Sequence, residues 1–281
     1  MVLNYINWNP DPEVINIFGI SIRYYGLLFS GGLIVCLFIL NWIYKRENLP
    51  SEYLAKLYVY GIIGGLVGAR LGHCLFYEPS YYLSNPIEMF LPIRLLPEGG
   101  IKFIGYQGLA SHGGGLGFLI ALFFYSRKTK HSMIDTMDLM AVVVALVGVF
   151  IRFANLMNSE IVGMPTTRPW GFIFERVDNV PRHPTQLYEA ISYLLIFVIM
   201  ILLYKTKREK LRNGFFFGLA LVLIFMARFF IEFFKVNQVR FEEGMTFNMG
   251  QLLSLPYILV GFGFIIFGLW KTKKLGAQKN V

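Results

Sequence analysis

An all-α, polytopic membrane protein is the fold class this chain predicts, and three observations carry that reading. Hydrophobic residues fill 56% of the 281 positions and charged residues 15%, with a mean hydropathy of +0.55. Such a balance excludes an ordinary soluble domain. Apolar segments recur along the chain, each long enough to cross a hydrocarbon core of about 30 Å. The basic residues, finally, are divided unequally between alternate loops.

Seven apolar segments fall near 18–43, 57–77, 106–126, 136–155, 187–204, 214–234 and 250–270. The loops after the first, third and fifth, together with the tail, hold fifteen Lys and Arg residues, including the run KTKREKLR at 205–212. The opposite loops are much longer and hold only eight, from Arg23 to Arg240. The positive-inside rule then predicts an external N-terminus and a cytoplasmic C-terminus. The net charge of +9 is accordingly a topology signal, and no nucleic-acid partner is expected. The first twenty residues carry Asp11 and Glu13 but no basic residue, so a cleaved signal peptide is not expected either. The chain reads as a single integral-membrane domain over 1–281.

Within the apolar segments, polar residues need a reason. In the first segment, Tyr25 lies near the outer end, where tyrosines commonly anchor a helix at the interface. In the second, Gly64, Gly68 and Gly72 repeat at four-residue spacing, which lets a neighbouring helix approach closely. Arg70 and His73 share a face beside them, and a structural or supporting role is the favoured reading for Arg70. His112 opens the third segment in SHGGGLGF, where glycines either bend the backbone toward a substrate or form a packing surface. With an ordinary pKa of about 6.5, histidine suits proton exchange near neutral pH.

The fourth segment ends in RFANLMNSEIVG at 152–163. If the helix continues, Arg152, Asn155 and Ser159 share one face. An arginine at that depth is costly, so it belongs against a polar cavity or an anion, or else snorkels to the headgroups. RHPTQLYE at 182–189 places His183, Gln186 and Glu189 just before the fifth segment, with Pro184 at a helix start. In the sixth, Arg228 precedes Glu232 by one turn, either as a plain ion pair or with Glu232 orienting Arg228 toward a ligand. MGQLLSLP at 249–256 opens the last segment. Cys36 and Cys74 sit inside apolar segments as small core residues. No CxxC, HExxH or Walker-type loop occurs, so neither a metal nor a cofactor is expected.

The run at 152–163 resembles the signature of the prolipoprotein diacylglyceryl transferases: arginine, any residue, glycine or alanine, asparagine, and later asparagine, glutamate and glycine. Here these positions are Arg152, Ala154, Asn155, Asn158, Glu160 and Gly163, and Ile151 replaces the glycine that usually precedes the arginine. The tyrosine–glycine pair at Tyr25, GARLG around Arg70, the histidine–glycine run at His112, RHPTQLYE around His183, the Arg228–Glu232 spacing and MGQLLSLP match in the same order.

The resemblance implies a transferase of the bacterial inner membrane with its active site toward the outer face. Such an enzyme moves the sn-1,2-diacylglyceryl group of phosphatidylglycerol onto the lipobox cysteine thiol of a preprolipoprotein signal peptide. A thioether forms and glycerol-1-phosphate leaves. On that basis His112, Tyr25 and Arg228 are candidate catalytic residues, and Arg152, Asn155, Arg228, Glu160 and Gly163 candidate phosphatidylglycerol-binding residues. Glu232, Asn158, His183 and Arg70 are candidate supporting residues. A small-anion transporter and a non-catalytic membrane scaffold are the alternatives, against which the polar residues gather toward outer helix ends and trace no path between faces.

Overall fold

A computed structural model describes residues 5–17, 20–91, 93–96, 99–103, 108–236 and 244–278. Positions 18–19 and 106–107 of the expected segments, and Arg240 and Lys279 of the basic counts, lie outside these. The fold is helical, as expected. The long helices are α1 (Tyr24–Arg46), α2 (Ser51–Phe76), α5 (Ser111–Thr129), α6 (Met133–Met157), α7 (Thr185–Lys207), α8 (Phe215–Ile231) and α9 (Met249–Gln278). Two short helices, α3 (Pro79–Ser84) and α4 (Pro86–Phe90), follow α2. Each of the seven apolar segments is thus a helix, and six are long and apolar enough to cross a membrane. The exception is α5, whose 19 residues include four glycines and end in Arg127 and Lys128.

Short strands are an addition to the expected helices. β2 (Glu13–Ile17) pairs antiparallel with β3 (Ile20–Arg23), so the first transmembrane helix begins at Tyr24 and not near residue 18. β1 (Ile6–Trp8) pairs parallel with β6 (Phe172–Phe174), which pairs antiparallel with β7 (Pro181–Arg182). β4 (Ile93–Leu95) and β5 (Ile101–Phe103) form a hairpin.

The chain divides into two compact units, Tyr44–Met133 and the remainder. In the first, α2 and α5 pack backbone to backbone. A Cβ on Gly68 or Gly72 would come within 2.7 Å of the Gly117 or Gly113 Cα, so the four-residue glycine spacing is a packing device on both helices. Arg70, 4% exposed, donates from Nε to the Met89 carbonyl at 3.1 Å and from Nη2 to the Glu88 carbonyl at 2.6 Å. Its guanidinium also lies 4.8 Å from the centre of the Tyr82 ring. Arg70 therefore ties α4 to α2, the structural role that its sequence context favoured.

In the second unit α6 is the most buried of the candidate spans, at 56% against 17–33% for the other five along the chain. Gly148 lets the Tyr193 ring of α7 approach; a Cβ there would sit 2.8 Å from it. Near the other end of α6, buried Asp138 accepts the Gly214 and Phe217 amides at 2.8 and 2.9 Å. Those amides belong to the start of α8, so a neighbouring helix satisfies two of its otherwise unpaired N–H groups. Arg208 donates to Asp135 at 2.6 Å and lies 3.5 Å from Asp138, closing a buried charge cluster there. α9 runs through Pro256, and Tyr257 stacks on Phe225 of α8 at 4.3 Å between ring centres.

Candidate functional site

The site starts where α6 stops. Ser159 and Ile161 both adopt left-handed backbone, at φ 53° and 56°. Ser159 ends the helix by the route usually left to glycine, and its N–H returns to the Leu156 carbonyl at 3.1 Å. The helix therefore does not continue to Ser159, and the expected face of Arg152, Asn155 and Ser159 holds only for the first two. The reversal instead brings Glu160 back: its N–H donates to the Asn155 carbonyl at 2.9 Å.

Side chains close this turn into a network. Arg152 Nη1 donates to Asn155 Oδ1 at 3.1 Å, and Asn155 Nδ2 donates to Glu160 Oε2 at 2.9 Å. Asn158 Nδ2 donates to the other oxygen, Glu160 Oε1, at 3.0 Å. Asn155 is thus an amide relay between a cation and an anion, using its acceptor on one and its donor on the other. The first turn of α7 completes the loop. Gln186 Nε2 donates to the Glu160 carbonyl at 2.6 Å, and Thr185 Oγ1 to the Ile161 carbonyl at 2.8 Å.

Charge enters from α7 and from the residues after α8. Glu189, wholly buried, places Oε2 3.0 Å from Arg152 Nε and Oε1 3.2 Å from Lys235 Nζ. The Arg152 contact is an ion pair by distance but is not aligned as a hydrogen bond. Tyr193 OH donates to Glu189 Oε1 at 3.2 Å. Lys235 in turn lies 3.0 Å from Glu232 Oε2. Arg152, Asn155, Glu160, Glu189, Tyr193, Glu232 and Lys235 so form one continuous polar cluster among apolar helices. Tyr25 lies within electrostatic range of Glu160 and Arg152, and Arg228 within range of Tyr193.

Gly163 is where no side chain fits. A Cβ there would stand 2.6 Å from the His183 Cβ and 2.8 Å from the Phe234 carbonyl oxygen. Its N–H donates to the His183 carbonyl at 3.0 Å, and it bridges to Lys235. That close approach carries Lys235 to Glu189. Arg182 Nη1 donates to the Gly163 carbonyl at 3.2 Å, while its Nε is shared by both Asp178 oxygens at 3.1 Å. The Arg182 guanidinium holds the Asp178 carboxyl below the usual carboxylate range. His183 Nδ1 is 3.0 Å from Tyr188 OH, and burial first, then the Arg168 charge, lowers its pKa.

The structure brings Arg152, Asn155, Asn158, Glu160, Gly163 and Glu232 into one cluster, with Tyr25, Arg228 and His183 at its margins. His112 and Arg70 belong to the other compact unit, where His112 is exposed in the first turn of α5. The partner of Glu232 is Lys235; the described residues include no ion pair between Glu232 and Arg228. Glu189, Tyr193 and Lys235 escaped selection as site residues. One signal was available: Gln186, Glu189 and Tyr193 fall at i, i+3 and i+7 on a helix, and an acid inside an apolar run requires a partner. Among the described residues no group of His, Cys, Asp and Glu side chains is arranged to hold a metal ion.

The chain is similar to known proteins along most of its length. The family described as "Prolipoprotein diacylglyceryl transferase" matches residues 12–267. A Bacteroides fragilis protein named phosphatidylglycerol–prolipoprotein diacylglyceryl transferase is 53% identical over 262 residues, covering 93% of this chain and 95% of its own. Proteins of the same name from Tolumonas auensis and Chloroherpeton thalassium are 46% and 40% identical, each covering at least 90% of both chains.

Proposed function

The chain belongs to the prolipoprotein diacylglyceryl transferase family, and from that premise we propose that the Arg152 cluster is its phospholipid-binding centre. The enzyme transfers the diacylglyceryl group of phosphatidylglycerol to a prolipoprotein. The acceptor is the lipobox cysteine thiol. As thiolate, its sulfur attacks the glyceryl carbon esterified to phosphate; the carbon–sulfur bond forms while the carbon–oxygen bond breaks. Glycerol-1-phosphate leaves with the bonding electron pair, and the product is a thioether.

One observation supports this reading above the others: Arg152, near the end of an apolar membrane helix, is held by Glu189 at 3.0 Å and Asn155 at 3.1 Å. A guanidinium stays charged and matches phosphate oxygens in a planar fork. As the carbon–oxygen bond breaks, negative charge grows on the departing phosphate, where Arg152 and Arg228 stabilise it. Asn155, Glu160 and Gly163 shape the same binding site, Glu232, Asn158 and His183 support it, and Arg70 supports the fold of α2 and α4. His112 takes the thiol proton, with Tyr25 as the hydrogen-bonding alternative. The chain works as one domain in the bacterial inner membrane, its site toward the outer face, and needs no cofactor. The transporter and scaffold alternatives lose their support with the family match.

The test is transfer by the purified protein from phosphatidylglycerol to a lipobox peptide, followed by mass spectrometry of the thioether. The wild type should yield the diacylglyceryl peptide. Arg152→Ala should remain folded and inserted while losing on the order of 10²-fold or more in rate. Near-wild-type turnover by that variant would remove Arg152 from the chemistry.

A further inference from the structure

Glu189 sits between the two cations of the cluster and none of its surface is exposed. One oxygen faces Arg152 Nε at 3.0 Å; the other faces Lys235 Nζ and Tyr193 OH, both at 3.2 Å. We propose that Glu189 is a positioning residue for the transfer: it aims the Arg152 guanidinium at the phosphate and does not itself touch substrate. The proposal rests on the reading of Arg152 as the phosphate-binding group.

Three features of the cluster lead there. A carboxylate in an apolar helix bundle persists only when paired, and Glu189 is paired twice. The contacts on Arg152 come from its own network: Asn155 binds Nη1, the Glu189 carboxylate pairs with the Nε edge by charge, and the Tyr193 hydroxyl lies within reach. Contacts on two edges of one planar group set its plane. Lys235, by contrast, is 4% exposed and lies between the Glu189 and Glu232 carboxylates, so its charge is already matched within the protein.

The charge balance makes the role measurable. Glu189→Gln removes a negative charge and leaves Arg152 and Lys235 in place, so attraction for an anionic lipid does not fall. What falls is the aim of Arg152, and aim is a kcat quantity. Steady-state transfer by the full-length protein, with phosphatidylglycerol varied at saturating lipobox peptide, reads the two separately. Glu189→Gln should lower kcat by about 10²-fold and leave KM for the lipid unchanged or lower. Glu189→Asp, which keeps the charge, should recover at least 10-fold of that loss. In an Arg152→Ala background, Glu189→Gln should change nothing further, because its target is gone.

A raised KM at unchanged kcat, wild-type kinetics in Glu189→Gln, or an additional loss in the Arg152→Ala background would each overturn the proposal. Should Glu189→Gln fail to fold, Glu189→Gln with Lys235→Met restores the charge balance of the cluster, and its kcat should still be low; recovery to wild type would count against positioning. Arg152→Ala alone reports on the premise. If it transfers normally, the phosphate reading fails, whatever Glu189 does.

Discussion

Lys235 Nζ lies 3.0 Å from Glu232 Oε2 and 3.2 Å from Glu189 Oε1, so one lysine serves two buried carboxylates. The arrangement divides the Arg228–Glu232 pair that sequence spacing suggests. A Cβ on Gly250, at the start of α9, would stand 2.5 Å from the Glu232 carboxyl carbon, which places that carboxylate at a helix N-terminus. Negative charge is favoured there. Glu232 is thereby satisfied without Arg228.

Unequal substitution effects follow. Arg228→Lys should cost about 10²-fold in transfer at saturating lipid, because lysine supplies a point charge without the planar fork. Glu232→Gln should cost less than about 10-fold, since Lys235 keeps Glu189 as a partner and glutamine still hydrogen-bonds. Initial rates of the two variants decide it. Wild-type activity in Arg228→Lys would reduce Arg228 to a packing charge.

How far the sequence foretells this site depends on the range of each signal. Apolar runs mark the helices because burial and length are local properties, and the run at 152–163 marks the site because its residues are neighbours along the chain. The end of α6 is not legible in the same way, since Ser159 adopts a left-handed backbone that glycine normally takes. Nor are the strands: three-residue β1 and β6 are too short for alternation to show, and the Ile20–Arg23 alternation is hidden in an apolar run. Partners distant in sequence are harder still. Arg70 finds its carbonyls 18 and 19 residues onward, and Arg152 finds Glu189 from the next helix. Only tertiary packing pairs them.

Topology is testable apart from chemistry. Glu175 and Lys210 are both exposed, and the native Cys36 and Cys74 are buried at 2% and 0% exposure, so they give little background. In intact spheroplasts an impermeant thiol reagent should label Glu175→Cys and spare Lys210→Cys, following the basic residues of the loops. The reverse labelling would invert the orientation and put the cluster on the cytoplasmic face.

A pH dependence of stability should come from His183. Its pKa is lowered by burial and by Arg168, so the folded protein favours the neutral ring. Between its folded value and the ordinary value of about 6.5, the unfolded chain binds the proton and the folded one does not. Stability from this residue is therefore complete above about 6.5 and declines as the pH falls below it. Thermal unfolding in detergent at pH 7.5 and 5.5 should show a smaller acid-induced drop for His183→Gln than for the wild type. An identical drop in both would assign the acid sensitivity elsewhere.

His112 poses the last question, because its neighbours already have a structural explanation. A Cβ on Gly113 would stand 2.8 Å from the Gly72 Cα, so the glycines after His112 serve helix packing whether or not the histidine is catalytic. The imidazole itself is exposed in the first turn of α5. If it takes the thiol proton, His112→Gln should keep lipid binding and lose on the order of 10²-fold or more in transfer, since glutamine cannot act as a base at neutral pH. A lipobox peptide whose cysteine has a lowered pKa arrives largely as thiolate and bypasses that step. Its transfer by His112→Gln should return to within about 10-fold of the wild type. Equal loss with the ordinary and the pre-ionised peptide would mean that His112 positions substrate or backbone and that Tyr25 or another group removes the proton.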